Sequence, residues 1–254
     1  MSSLLVTAIV FACLIFGAVL GMALRSILPA HHLSQSSTDV IKLATGLMAT
    51  LVALVLGLLI SSANTSHNTI EGEYRSLLAT TELLDRHLAD YGSEAVPARD
   101  LLRHVVVRGF QVTWPQEDFG PQEPPTAGGR AGIEALEGNL LHLSPTTDAQ
   151  KWLQSQSLQL LGGLAQERLL LNDQEIGVAL PTPLLVVLIT WATAIFISFG
   201  LFARPNATII ASLLIAALAV AGAIFMISEL GSPFSGLIQI SSAPAHAALA
   251  LLGQ

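Results

Sequence analysis

Leu43 to Ile60 reads LATGLMATLVALVLGLLI, a run without a single charged residue. With Ser61, Ser62 and Ala63 added, it is long enough at 1.5 Å per residue to cross a hydrocarbon layer of about 30 Å as one helix. Thr45, Ala49, Ala53, Gly57 and Ser61 recur at every fourth position. Small side chains in that spacing let another helix approach closely, so these five residues are read as a packing face. Leu47, Thr50, Leu54 and Leu58 lie on the opposite side.

Upstream, Ser36 and Asp39 have the S-x-x-D form of a capping box, which places the helix start there. The preceding HHLSQSST, residues 31–38, makes a short turn at a membrane face. Before it, Leu4 to Leu24 is also uncharged, nothing basic precedes it and Arg25 follows it. A cleaved signal would show basic residues first and a shorter apolar run, so this is read as a retained first span. Gly17 and Gly21 in it form a GxxxG pair.

Downstream of Ala63 no helix stop intervenes. Leu56, Ile60, Ala63, His67, Ile70, Tyr74, Leu77, Thr81, Leu84, Leu88 and Tyr91 follow alternating steps of three and four, a seam that keeps one face toward a partner. The second span is therefore expected to continue as a stalk to the stop at Gly92. A further helix is expected from a Ser93 cap to about Val112, ended by Trp114-Pro115. The Pro- and Gly-rich residues 116–132 read as a loop, and a short helix follows over 133–143. Ser144-Pro145 supplies an N-cap with Pro at the first helical position, opening a helix to about Leu171.

Pro181 and Pro183 mark re-entry to the membrane. Leu184 to Phe202 is a third uncharged span, Arg204-Pro205-Asn206 a turn, and Ala207 to Ile227 a fourth span. The expected organisation is an all-α integral membrane protein with four membrane helices in two pairs. Residues 1–63 hold the first pair, with spans at 4–24 and 43–63. Residues 64–180 form a helical extramembrane domain. Residues 181–227 hold the second pair, and 228–254 an interfacial C-terminal tail, uncharged beyond Glu229 and too broken by Pro and Gly to span.

Composition agrees. The chain of 254 residues is 52% hydrophobic and 11% charged, well under the quarter or so of an ordinary soluble domain. Sixteen of the eighteen acids and eight of the eleven bases lie in 64–180, giving that segment a net charge of −8. This is the wrong sign for phosphate backbones, so nucleic acid is not an expected partner. Cys13 is the single cysteine and sits in a span, which excludes a disulfide framework and a cysteine metal centre.

His31 and His32 with Asp39 lack a third ligand at a usable spacing, so no metal is expected. Histidine titrates near neutral pH, which makes the pair candidates for proton sensing beside the simpler reading of interfacial polar residues. Glu229, at the end of the fourth span, reads either as a charge that snorkels to the interface or as part of an ion or proton pathway. No phosphate-binding loop, H-E-x-x-H, G-x-S-x-G or Cys-x-x-Cys is present. The carboxylates of 64–180 read as a solvated face. Neither an enzyme nor a cofactor is expected.

Charge leaves the orientation open. The short loops carry Arg25, Lys42 and Arg204 while the tails carry none, which places the domain outside by the positive-inside rule. Arg75 and Arg168 near the membrane pull the other way, and the difference is about one charge.

The stretch HHLSQSSTDVIKLATGLMATLVALVLGLLISSA, residues 31–63, resembles the signature of the bestrophin-like family of bacterial membrane proteins. LLDRHLADYGSEAVPARDLLRHVVVRGFQVTWP resembles that family's entry into the middle domain, and ELGSPFSGLIQISSAPAHAALALLG its C-terminal motif. In that last motif the family pattern has an acidic residue where Gly231 stands and a basic one where His246 stands, so an ion pair between those positions is not expected. The resemblance implies four membrane helices with a helical domain between the second and third. By analogy with true bestrophins, which are pentameric anion channels, it further implies a homo-oligomer in the bacterial inner membrane, inorganic anions as ligands and a cytosolic domain. The second span would line a pore, with Leu47, Thr50, Leu54 and Leu58 toward the lumen as a mostly hydrophobic constriction. The competing expectation is a non-conducting scaffold or sensor in the bilayer whose helical domain recruits a protein partner.

Overall fold

The computed structural model describes residues 2–27, 35–177, 182–203 and 206–252. Eight α-helices are present among them and no strand: α1 (Ser3–Ile27), α2 (Gln35–Tyr91), α3 (Val96–Thr113), α4 (Gly129–His142), α5 (Asp148–Gly177), α6 (Thr182–Phe202), α7 (Ala207–Leu230) and α8 (Ala243–Leu251). Four helical stretches are long and apolar enough to cross a membrane, at Ser3–Ile27, Thr38–Tyr91, Pro183–Phe202 and Ala207–Leu230. The expected all-α membrane fold is the one observed, and α2 is the uninterrupted helix that the missing stop implied. The residues fall into two compact units. One comprises 1–67, 178–232 and 236–238, the other 68–177, 233–235 and 239–254.

In the first unit, α1 packs against α6 and α7. The buried set is Val10, Leu14 and Ala18 from α1, Val52 and Leu56 from α2, Leu188, Ala192, Ile195 and Phe196 from α6, and Ala217, Ala221, Ile224 and Ile227 from α7. Gly17 and Gly21 explain how closely α1 and α6 approach. A Cβ at Gly17 would lie 3.0 Å from the Thr193 carbonyl oxygen, and one at Gly21 would fall on the Ile197 carbonyl. Gly200 makes the reciprocal contact, since a Cβ there would fall on the Ala18 carbonyl. Close backbone packing of this kind supplies the van der Waals attraction that holds helices together where lipid offers no hydrophobic drive. At the end of α6, Arg25 Nη1 donates to the carbonyls of Phe202 (3.2 Å) and Ala203 (2.8 Å). A cation there satisfies free carbonyls and complements the negative end of the helix dipole. Asn206 Oδ1 accepts the N–H of Ile209 and so caps α7.

The second unit has two buried clusters. Leu84, Leu88 and Tyr91 of α2 meet Ala98 and Leu102 of α3, Leu136 and Leu140 of α4, and Leu161 and Leu164 of α5. Beside them Arg99 grips Asp85 with two parallel hydrogen bonds, Nε to Oδ1 at 2.9 Å and Nη2 to Oδ2 at 2.8 Å. The second cluster is aromatic: Tyr74, Phe110, Trp114, Phe119 and Phe234, with Ala245 and Ala248 of α8. Trp114 is fully buried and its indole N–H donates to the Ile240 carbonyl at 3.3 Å.

Some details differ from expectation. Ser93 does not cap α3 but lies in a short 3-10 turn, Ser93–Ala95, behind which α3 starts at Val96 with Pro97 in its first turn. α4 starts at Gly129, inside the stretch expected as loop. Ser144 and Pro145 precede α5 rather than open it. The helix starts at Asp148 because Thr147 and Gln150 form the capping box: Gln150 N–H donates to Thr147 Oγ1 (3.1 Å) and Thr147 N–H to Gln150 Oε1 (3.2 Å). That arrangement satisfies two backbone donors reciprocally, which a Ser-Pro start does not do. In the seam of α2, Leu78 is buried where Leu77 was expected and Leu77 is half-buried, while His67, Ile70, Tyr74, Thr81, Leu84, Leu88 and Tyr91 are buried as the spacing requires.

Candidate functional site: the faces of the second helix and its neighbours

Within the first unit α2 has a packed face and a bare one. Val52 and Leu56 are buried, and Met48, Ala49, Val55, Leu59, Ile60 and Ala63 pack against the same core. Of the small stripe, Thr45 and Ala49 lie on this packed face, and Thr45 Oγ1 is 2.7 Å from Ser198 Oγ on α6. Ala53, Gly57 and Ser61 are exposed, and a Cβ at Gly57 would meet nothing within 4 Å.

Along the bare face run Leu43, Leu47, Leu51, Leu54 and Leu58, with Leu47, Leu54 and Leu58 59–66% exposed. Thr50 is also exposed, and its hydroxyl donates to the Gly46 carbonyl at 3.0 Å. Since that proton is used within the helix, Thr50 adds little polarity to the leucine face. The surface is uncharged and five leucines long. It would make either a lipid contact or, repeated around an axis, a hydrophobic constriction.

Glu229 does not snorkel. Its side chain is buried, and the backbone N–H groups of Leu237 and Ile238 donate to Oε2, with a side-chain hydrogen bond from Ser3. Gly236 has φ +97° and a Cβ there would lie 2.5 Å from Oε2, so the residue's lack of a side chain allows the turn to close over the carboxylate. The geometry gives Glu229 the work of holding this turn. His31 and His32 lie outside the described residues, as do Pro181, Arg204 and Pro205. Among the described residues no group of three or more His, Cys, Asp or Glu could hold a metal ion.

Two of the carboxylates read as a solvated face are not on one. Asp85 is buried in its pair with Arg99. Glu117 fastens the C-terminal segment: the Ser242 hydroxyl donates to Oε1 at 2.7 Å, and His246 Nε2 lies 3.0 Å from Oε2. The His246 ring stacks on Phe119, centroids 4.3 Å apart and 15° from parallel. Hydrogen bonds from Ser242 and then His246 hold the Glu117 carboxyl below the usual carboxylate range. The sequence signal was thin, since Glu117 and Asp118 stand side by side between Trp114-Pro115 and Phe119 with nothing to tell them apart. His246, unable to pair at Gly231, has Glu117 as its partner instead.

Comparison with known proteins agrees with the sequence resemblance. A bestrophin-like domain matches residues 11–245, nearly the whole chain. No curated protein and no solved structure matches it. With four apolar helices of spanning length and a domain match from the first span to the C-terminal segment, this chain belongs to the bestrophin-like family.

Proposed function

We propose that the protein is an oligomeric anion channel whose second helix lines the pore. The observation that carries this reading is the uncharged leucine face of α2, left bare by the packing of its own chain. Membership of the bestrophin-like family supports it. In this reading several copies turn Leu47, Thr50, Leu54 and Leu58 inward, and the constriction gates by wetting and dewetting. Ala53, Gly57 and Ser61, bare in one chain, pack on the neighbouring copy. Residues 64–180 stand outside the bilayer on the cytosolic side of a bacterial inner membrane, residues 228–254 lie near the interface, and His31 and His32 are the first groups to examine for pH sensitivity. The protein is not an enzyme in this reading.

Anion flux from liposomes tests it. Wild-type protein is expected to dissipate a chloride gradient, and Leu54→Ser to raise that flux at least several-fold by making the constriction easier to wet. Absence of flux over a range of pH, calcium and membrane tension, with crosslinking that finds only monomers, overturns the proposal.

A second reading, a non-conducting scaffold or sensor, draws on Trp152. This residue is 57% exposed on the acidic helical segment, with Leu141 equally bare on α4. Such side chains anchor protein interfaces. Partner capture that depends on Trp152, in a protein that carries no current, favours it.

A further inference from the structure

Between α2, α6 and α7 of the first unit lies an open groove of about 530 Å³. Its walls are chiefly apolar, with Phe199 and Leu213 facing it, and Thr45, Ser198 and Ser212 supply hydroxyls. Those hydroxyls are already engaged, Thr45 with Ser198 and Ser212 with the Thr208 carbonyl. The groove also has a cation, Lys42. Lys42 directly precedes the uncharged run that starts at Leu43, which puts its ammonium at the level where a span meets the headgroups. The end of α6 is beside it, for Phe202 and Ala203 border the groove and their carbonyls hold Arg25. Arg25 is thus engaged, whereas Lys42 has no ion-pair partner among the described residues. Asp39, one turn earlier, is exposed, does not line the groove and forms no bridge with Lys42.

An apolar trough that carries at its interfacial end one ammonium, without an ion-pair partner among the described residues, matches an amphiphile with a negative head. We infer that the groove binds an anionic phospholipid, its headgroup on Lys42 and an acyl chain along Phe199 and Leu213. A free inorganic anion would exchange its hydration for one ammonium and an apolar wall, a poor substitution. A neutral lipid would fill the trough and leave Lys42 unpaired. The proposal needs only the membrane helices and is independent of conduction.

Native mass spectrometry of the full-length protein, delipidated in detergent and titrated with phosphatidylglycerol or phosphatidylcholine, tests it. Wild type is expected to prefer phosphatidylglycerol by about fivefold, the factor for one lysine beside an anionic headgroup. Lys42→Gln, on an exposed side chain that does not support the fold, is expected to erase the preference, and Lys42→Arg to retain it. Leu213→Trp, which fills the trough, is expected to weaken both lipids. Millimolar inorganic phosphate is expected not to displace phosphatidylglycerol. Equal binding of the two lipids by wild type, an undiminished preference in Lys42→Gln, or displacement by phosphate overturns the inference.

Discussion

Removing the carboxylate of Asp85 is expected to loosen the α2 and α3 contact of the second unit by about 3 kcal/mol. The two side chains of the Asp85 and Arg99 pair are only 10% and 17% exposed, and the pairing is two-pronged at 2.8–2.9 Å. Breaking a buried pair by deleting one partner costs about 3–5 kcal/mol, mostly because the remaining charge is stranded, and the residual exposure of Arg99 favours the lower end. Asp85→Leu takes the two-pronged acceptor away from a guanidinium that cannot shed its proton. Asp85→Leu with Arg99→Met removes both charges and leaves apolar volume beside Leu84, Leu88 and Leu102, so the double variant is expected within about 1 kcal/mol of wild type. Native-state hydrogen exchange of the full chain in detergent reads this directly. Amides of residues 84–88 and 98–102 are expected to exchange roughly 150-fold faster in Asp85→Leu, at tenfold per 1.4 kcal/mol, and to recover in the double variant. Unchanged exchange in the single variant, or a double variant as loose as the single one, refutes the view that this charge pair is held in low dielectric.

Gly21→Val is expected to separate α1 from α6 and to lose the monodisperse peak in size-exclusion chromatography, since its Cβ collides with the Ile197 backbone, which has no rotamer to yield. Gly57→Ala has open space around it and is expected to keep that peak, unless a second copy occupies the space. Glu229→Ala leaves the N–H groups of Leu237 and Ile238 without their acceptor and is expected to speed exchange at those two amides by at least tenfold, read by the same exchange experiment. For Glu117 the folded-state pKa is lowered, so its contribution is present above the unfolded carboxylate pKa and disappears as pH falls through the folded value. Protection of α8 is therefore expected to hold from neutrality to mildly acidic pH and to drop below the ordinary carboxylate range, and Glu117→Gln to remove that pH dependence.

The spans were legible because an uncharged run of that length has few alternatives, and α2 because no stop interrupts it. The small stripe winds around α2. Steps of four advance about 40° per step on a helix of 3.6 residues per turn, so Thr45 and Ser61 are separated by roughly 160° around the axis. One neighbour cannot cover both, and accordingly Thr45 and Ala49 face the core of their own chain while Ala53, Gly57 and Ser61 are exposed in it. Alternating steps drift less, which is why the seam from Leu56 to Tyr91 was readable to within one residue. The start of α5 was hidden by a competing signal, because Ser144-Pro145 and Thr147-Gln150 are both helix openers and only the second is reciprocal. Glu117 and Asp85 were missed for a different reason. A carboxylate on an amphipathic segment carries no mark of its partner when that partner lies 14 residues away, as Arg99 does, or 129, as His246 does.

The burial of Trp114 gives the molecule an optical handle. Of the three tryptophans, Trp152 is largely exposed and Trp191 half-buried in α6, whereas Trp114 is enclosed and bonded to the carbonyl of Ile240. Release of the segment around Ile240 would admit water to that indole and take away its acceptor in the same step. With Trp152 and Trp191 replaced by phenylalanine, a red shift in emission would time the undocking of the C-terminal segment, without a label, in detergent or in vesicles.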